Sequence, residues 1–242
     1  MNEGLSYLIR GFKMLKEDGI RRYAAGPLII NIVLFASLIT YATTEFNYWT
    51  DYLLAQIPSW LSFLEFILWP LFIVLMLIIV IFSFTILVNI IGAPFNAILA
   101  EQVTVRSVGT APVSASDNWV GVAASVPRSL VREVTRLVYI LPLALLIWVL
   151  TLIPGLNVLT PVLWFLWGAW MMSIQYTDYA ADNDRISFGK LRKSLSTNRT
   201  LTLSFGAGVT LATMIPILNF FVMPAAVCGA TLMWCEQLQN QS

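Results

Sequence analysis

The sequence predicts an all-α integral membrane protein, with two full transmembrane helices, two re-entrant (hemi-penetrating) helical hairpins and an N-terminal amphipathic interfacial helix. Three observations carry this. Only 11% of the residues are charged and 58% are hydrophobic, whereas a soluble domain holds about 25% charged residues. The charges also cluster, leaving 23–44, 66–100, 137–177 and 200–235 without any. Each stretch reaches the ~20 apolar residues that one spanning helix needs. Finally, an Ile-Pro-x-Leu-Asn pattern recurs inside the last two apolar stretches.

Composition also removes several function classes. With no histidine in the chain, imidazole base catalysis, histidine metal sites and histidine pH switches are absent. The net charge of +1 gives no footing for nucleic acid, and none is expected as a partner. Cys228 and Cys235 sit in one helical stretch about 10 Å apart along its axis, too far to bridge, so packing is their expected role. No GxxxxGK[ST] phosphate loop, GxSxG elbow or zinc spacing occurs, so neither nucleotide nor cofactor is expected. The first apolar run follows a charged segment and lacks a small-residue cleavage site, unlike a signal peptide.

A single membrane-embedded domain, 1–242, is expected to begin with an interfacial helix over 1–18. There Leu5, Leu8, Ile9, Phe12 and Leu15 recur at helical spacing, with Arg10, Lys13 and Lys16 on other faces. Lys16 to Gly19 ends it. The first span is 23–42, with Pro27 in its opening turns, where a missing N–H costs least. A loop over 45–65 carries Phe46, Tyr48, Trp49, Tyr52 and Trp60, residues suited to the headgroup layer. The second span is 70–91, after which Gly92 and Pro94 break the helix before it resumes through Glu101 and Arg106. Residues 110–127 form a polar loop. Beyond it Arg128, Arg132 and Arg136 make an i, i+4, i+8 stripe, read as a phosphate-headgroup anchor.

Leu152-Ile-Pro154-Gly-Leu-Asn157 with Pro161 matches Met214-Ile-Pro216-Ile-Leu-Asn219 with Pro224. This predicts duplicated hairpins over 128–177 and 190–235, tipped by the Pro–Asn turns. Arms of roughly 25 Å fall short of an ~30 Å hydrocarbon core, which favours re-entrant hairpins, although six full spans also satisfy the charge pattern. Lys and Arg concentrate before residue 23 and at 106–136 and 185–199, placing these segments and both termini in the cytoplasm by the positive-inside rule.

Gly19-Ile20-Arg21-Arg22 is the sharpest local feature. A helix N-terminus offers unpaired N–H groups and partial positive charge, and forked guanidinium donors match tetrahedral oxyanions. The competing reading makes Arg21 and Arg22 topology signals alone. Among amides in apolar sequence, Asn31 and Asn89 are the better pathway candidates and Asn96 a further one. Asn157 and Asn219 equally suit turn capping. Glu101 and Arg106 either pair or gate an anion route. Asp178, Asp182 and Asp184 resemble a carboxylate cluster, but their place beside Arg185 reads as a solvated helix end rather than a metal site.

At these positions the chain resembles the CysZ sulfate permeases of bacteria. The likeness rests on Gly19-Ile-Arg-Arg-Tyr23 before Pro27-Leu-Ile-Ile-Asn31, on Ala93-Pro-Phe-Asn96 with Leu99-Ala-Glu-Gln102, on Pro161-Val-Leu-Trp-Phe-Leu166, on Ile174-Gln-Tyr176 with Asp178-Tyr179, and on Met223-Pro-Ala-Ala-Val-Cys-Gly-Ala230. It implies sulfate uptake across the inner membrane for sulfur assimilation and cysteine synthesis, without ATP hydrolysis, by a multi-pass homo-oligomer in the lipid bilayer. It also implies an anion motif of the Gly-Leu-Arg type, which here reads Gly19-Ile20-Arg21. The competing reading is a membrane scaffold that transports nothing; a membrane enzyme comes third.

Overall fold

The computed structural model describes residues 3–56, 65–109 and 119–239. They form eight helices: α1 (Glu3–Met14), α2 (Ile20–Gln56), α3 (Glu65–Val108), α4 (Trp119–Thr151), α5 (Thr160–Asn183), α6 (Phe188–Thr197), α7 (Arg199–Thr213) and α8 (Pro216–Met233). A π-turn, Trp234–Leu238, follows α8. No strand occurs among the described residues. Those up to Ala24 and from Pro94 onward form one compact unit, and Ala25–Ala93 form a second.

Several helices run further than the sequence suggests. The backbone of α2 stays helical to Gln56 instead of entering a loop at 45. No Gly or Pro interrupts it beyond Pro27, and Thr40, Thr43 and Thr44 fold their hydroxyls onto carbonyls one turn back. Its last turns carry an edge-to-face ladder, Tyr48–Trp49 at 5.9 Å and Trp49–Tyr52 at 6.0 Å between ring centroids. Likewise α3 passes through Gly92 and Pro94 unbroken, and α4 already starts at Trp119, inside the expected polar loop. Proline is tolerated inside an apolar helix where neighbouring helices, side chains or local adjustment satisfy the freed backbone groups.

In the larger unit, α1 is amphipathic as expected, and its buried stripe faces protein. Gly4, Tyr7, Leu8, Gly11 and Met14 are buried. A Cβ on Gly11 would collide with the Ala225 carbonyl, and one on Gly229 would lie 2.6 Å from the Tyr7 carbonyl oxygen. Backbone therefore meets backbone between α1 and α8. The same close approach joins α5 to α7, where Gly206 lies against Ala169 and Ser173 donates to the Thr202 carbonyl at 2.6 Å. Small residues permit this packing where lipid supplies no hydrophobic drive between helices. Trp234, Phe205, Ile174, Leu191 and Val209 fill the core around it.

The proline-containing turns that join α4 to α5 and α7 to α8 differ. Pro154 and Gly155 (φ +89°) occupy the central positions of a turn closed by Leu156 N–H to Ile153 O at 3.2 Å, the pattern of a type II turn. In the second copy Ile215 is extended (φ −94°, ψ 110°), as a residue before proline prefers, and Pro216 opens α8. Asn219 thus lies inside α8 rather than at the tip, while Asn157 begins a short 3-10 turn. Among the described residues, three segments are long and apolar enough to cross a membrane: Val131–Thr151, Asn157–Asn183 and Phe221–Leu238. The α7 arm, at 15 residues, spans only about 22 Å.

Candidate anion site

Between α1 and α2 the chain reverses on a tight turn. Glu17 N–H bonds the Met14 carbonyl at 3.0 Å, and the Ile20 and Arg21 N–H groups share the Glu17 carbonyl at 3.2 Å each. Gly19 adopts φ +93°, which side chains rarely tolerate. Ile20 is fully buried and Arg21 is exposed, so the turn anchors its apolar residue and presents its cation. The first two amides of α2 are already engaged, though by long bonds to one acceptor.

Arg106, from the end of α3, closes over this turn. Its Nη1 donates to Glu17 Oε2 at 2.9 Å and its Nη2 to the Asp18 carbonyl. A Cβ on Gly19 would stand 2.8 Å from that same Nη2. The pairing partner of Arg106 is thus Glu17. Residues 101 and 106 project about 140° apart around the helix, at 100° per residue.

One turn further along α1, Arg10 forks onto the Glu236 carboxylate, with Nη1 to Oε2 at 2.8 Å and Nη2 to Oε1 at 2.5 Å. The Tyr7 hydroxyl donates to Oε2 at 3.0 Å. Burial raises the Tyr7 phenol above its ordinary pKa, keeping it a donor, and the Glu236 hydrogen bond holds Arg10 above its usual value. Arg10, Lys13, Glu17, Arg106, Ser107, Leu232 and Glu236 line an open pocket of about 410 Å³.

The remaining candidates fall elsewhere. Asn96 is buried and gives its amide to Tyr179 Oη at 3.3 Å, which ties α3 to α5. Glu101 is half-buried on α3. The side chains of Arg22, Asn31, Asn89 and Arg128 lie outside the described residues.

Within the basic stripe on α4, Arg132 turns inward. Arg132 Nε donates to Asp178 at 2.8 Å, and its Nη1 to Asp182 at 3.2 Å and to the Ile186 carbonyl at 2.6 Å. Only 11% of each side chain of the Arg132–Asp178 pair is exposed, so this arginine is not a headgroup anchor. The three aspartates are not a solvated helix end either. Asp178 and Asp182 take Arg132, while Asp184 accepts Trp234 Nε1 at 2.7 Å and Gln239 Nε2 at 3.1 Å. Sequence reasoning missed this network, and it missed Arg10 with Glu236. The available signal for the second was Glu236 itself, an acid ending a charge-free stretch beginning at 200.

Comparison with known proteins places the chain in a family. The family model described as Sulfate transporter CysZ/Etoposide-induced protein 2.4 matches residues 7–224. A protein of Pseudomonas aeruginosa named Sulfate transporter CysZ is 43% identical over 237 residues, covering 97% of this chain and 95% of that one. Its counterpart of the same name in Pseudomonas fluorescens is 45% identical over 234 residues, 97% and 93% of the two chains. The one in Pectobacterium atrosepticum is 40% identical over 241 residues, 99% and 86%. With a match this long, the chain belongs to the family described as Sulfate transporter CysZ/Etoposide-induced protein 2.4.

Proposed function

We propose that this protein is a sulfate permease of the bacterial inner membrane, feeding sulfur assimilation and cysteine biosynthesis, channel-like and without ATP hydrolysis. The observation that carries the reading is identity of 40–45% along nearly the whole chain to relatives named sulfate transporters. The clasped turn gives the reading a chemical basis. Gly19, Ile20, Arg21 and Arg22 form the sulfate-binding element, where backbone amides and guanidinium donors meet a dianion at a helix N-terminus. Arg106 braces that turn, and Asn31, Asn89, Asn96 and Glu101 mark the route beyond it, with Asn96 acting through Tyr179.

The membrane arrangement we favour has α2 and α3 as full spans and the two hairpins as re-entrant elements, in a homo-oligomer that encloses the polar backbone. The short α7 arm suits re-entry. The first hairpin has arms with candidate spans of 21 and 27 residues, long enough for crossing, and thiol labelling of cysteines placed at Asn157 and Asn219 separates the two arrangements. Labelled sulfate entering liposomes that contain the purified protein, and not empty ones, is the result that supports transport. A membrane-inserted, folded protein that passes no sulfate points to the scaffold reading instead.

A further inference from the structure

Arg10 and Tyr7 present three donors to the two oxygens of one carboxylate, a geometry that also fits an edge of a tetrahedral oxyanion. Lys13 lies one turn along α1, and Arg106 lines the same pocket. The pocket lining thus holds three cations, Arg10, Lys13 and Arg106, against two acids, Glu17 and Glu236. Glu236 occupies the Arg10 fork, and Glu17 takes one nitrogen of Arg106. At about 30 Å³ per water, some 410 Å³ accommodates a partly hydrated inorganic dianion. A purely structural clamp between α1 and α8 would not need such a cavity. Those helices are already joined by close backbone contact at Gly11 and Gly229.

We propose that this pocket is a second sulfate site, next to the Gly19–Arg22 turn, and that Glu236 acts as a tethered latch occupying the Arg10–Tyr7 receptor when sulfate is scarce. The proposal rests on the sulfate reading above and adds a regulatory step to it. A tethered group competes at an effective concentration on the order of millimolar. Micromolar sulfate therefore leaves the latch in place, and only higher concentrations displace it. Once displaced, Glu236 swings into the open side of the pocket, where its side chain is already 38% exposed. The anion then bridges Arg10 and Lys13, one turn from the Glu17–Arg106 pair.

The test is a sulfate titration of purified protein in phosphatidylcholine nanodiscs, comparing the parent with Glu236→Gln, Glu236→Ala and the double variant Arg10→Gln/Glu236→Gln. Removing the latch charge is expected to tighten sulfate binding several-fold, and the double variant to lose that gain. Glycerophosphate, titrated in parallel, is expected to gain nothing, since a lipid-headgroup site would improve for both anions. Either single variant can report if the other fails to fold. Unchanged sulfate affinity in a folded single variant, a gain that survives loss of Arg10, or an equal gain for glycerophosphate each overturns the latch. Labelled sulfate uptake by the parent is followed alongside. Uptake without the latch effect rejects this inference alone, whereas a parent that neither binds nor passes sulfate rejects the permease reading with it.

Discussion

Arg106 Nη1 stands 2.9 Å from the Glu17 carboxylate, so the end of α3 holds the turn on which α2 begins. The two side chains are 41% and 50% exposed, and an exposed ion pair contributes at most about 1 kcal/mol. Arg106→Ala is therefore expected to leave the unfolding temperature nearly unchanged while weakening sulfate binding, because the turn loses its brace. Thermal unfolding in detergent and a binding titration on the same sample check both halves. A large loss of stability would show that the contact is structural instead.

Gly19 makes a sharper case. Its φ of +93° costs a side-chain-bearing residue about 1–3 kcal/mol, and an added Cβ would crowd Arg106 Nη2. Gly19→Ala is expected to lower stability by that amount and to disturb the Arg106 contact. Uptake should fall further in Gly19→Ala than in Arg106→Ala, which a paired transport assay measures.

Arg132 is the charge whose loss the fold should feel most. Removing one member of a buried pair leaves the other uncompensated, at about 3–5 kcal/mol. Arg132→Met is expected to lower the yield of folded protein. Replacing Asp178 and Asp182 by Asn in the same chain should recover much of it, as size-exclusion profiles of solubilised protein would show. A folded, fully stable Arg132→Met single variant would contradict the inward placement of that guanidinium.

The α5–α7 contact gives a steric prediction. At Gly206 the Ala169 carbonyl leaves no room for a side chain, and overpacking costs about 1–3 kcal/mol or more. Gly206→Leu is expected to reach the upper end, since backbone rather than a flexible side chain must move. Gly168 has open space around it, so Gly168→Ala should be tolerated in the same unfolding assay.

At the end of α5, Arg185 adopts φ +58°. Ile186 N–H reaches the Ala181 carbonyl at 2.9 Å and Arg185 N–H the Asp182 carbonyl at 2.9 Å, the Schellman pattern that favours glycine. Arg185→Gly is expected to gain roughly 0.5–1 kcal/mol, the left-handed strain relieved less the added chain entropy of glycine. Thermal melts of the two proteins decide it.

How far the sequence carries depends on the range of the interaction. Apolar runs, the α1 stripe, the turn at Pro154 and the Gly19 turn depend on neighbours a few residues apart, and periodicity and turn chemistry expose them. Helix ends were harder. The aromatic residues after 45 suit a headgroup loop and a helix equally, and α2 continues to Gln56. Gly92 and Pro94 signal a break that the helical backbone of α3 does not make. Long-range electrostatics were illegible. Nothing local tells Arg132 to seek Asp178 rather than a headgroup, or pairs Arg10 with an acid near the other end of the chain.

An inside-negative potential opposes each charge by about 2.3 kcal/mol per 100 mV, so a dianion faces roughly 4.6 kcal/mol. Uncoupled entry then works only while assimilation keeps cytoplasmic sulfate thousands of times below the outside level. Two co-transported protons would cancel the opposition and three reverse it, with Glu65 and Glu101, at the ends of the second apolar stretch, as the available carriers. Carboxylates that couple protons usually sit mid-span, so uncoupled flow is the expectation.

Labelled sulfate uptake into proteoliposomes, with the potential clamped near zero and the Arg21→Ala/Arg22→Ala variant in parallel, is the decisive measurement. Uncoupled permeation through the Gly19–Arg22 turn gives saturable uptake by the parent that stops at equal concentrations with or without a pH gradient, and is largely lost in the folded double variant. Parent uptake no faster than empty liposomes, or undiminished uptake in the variant, would contradict it.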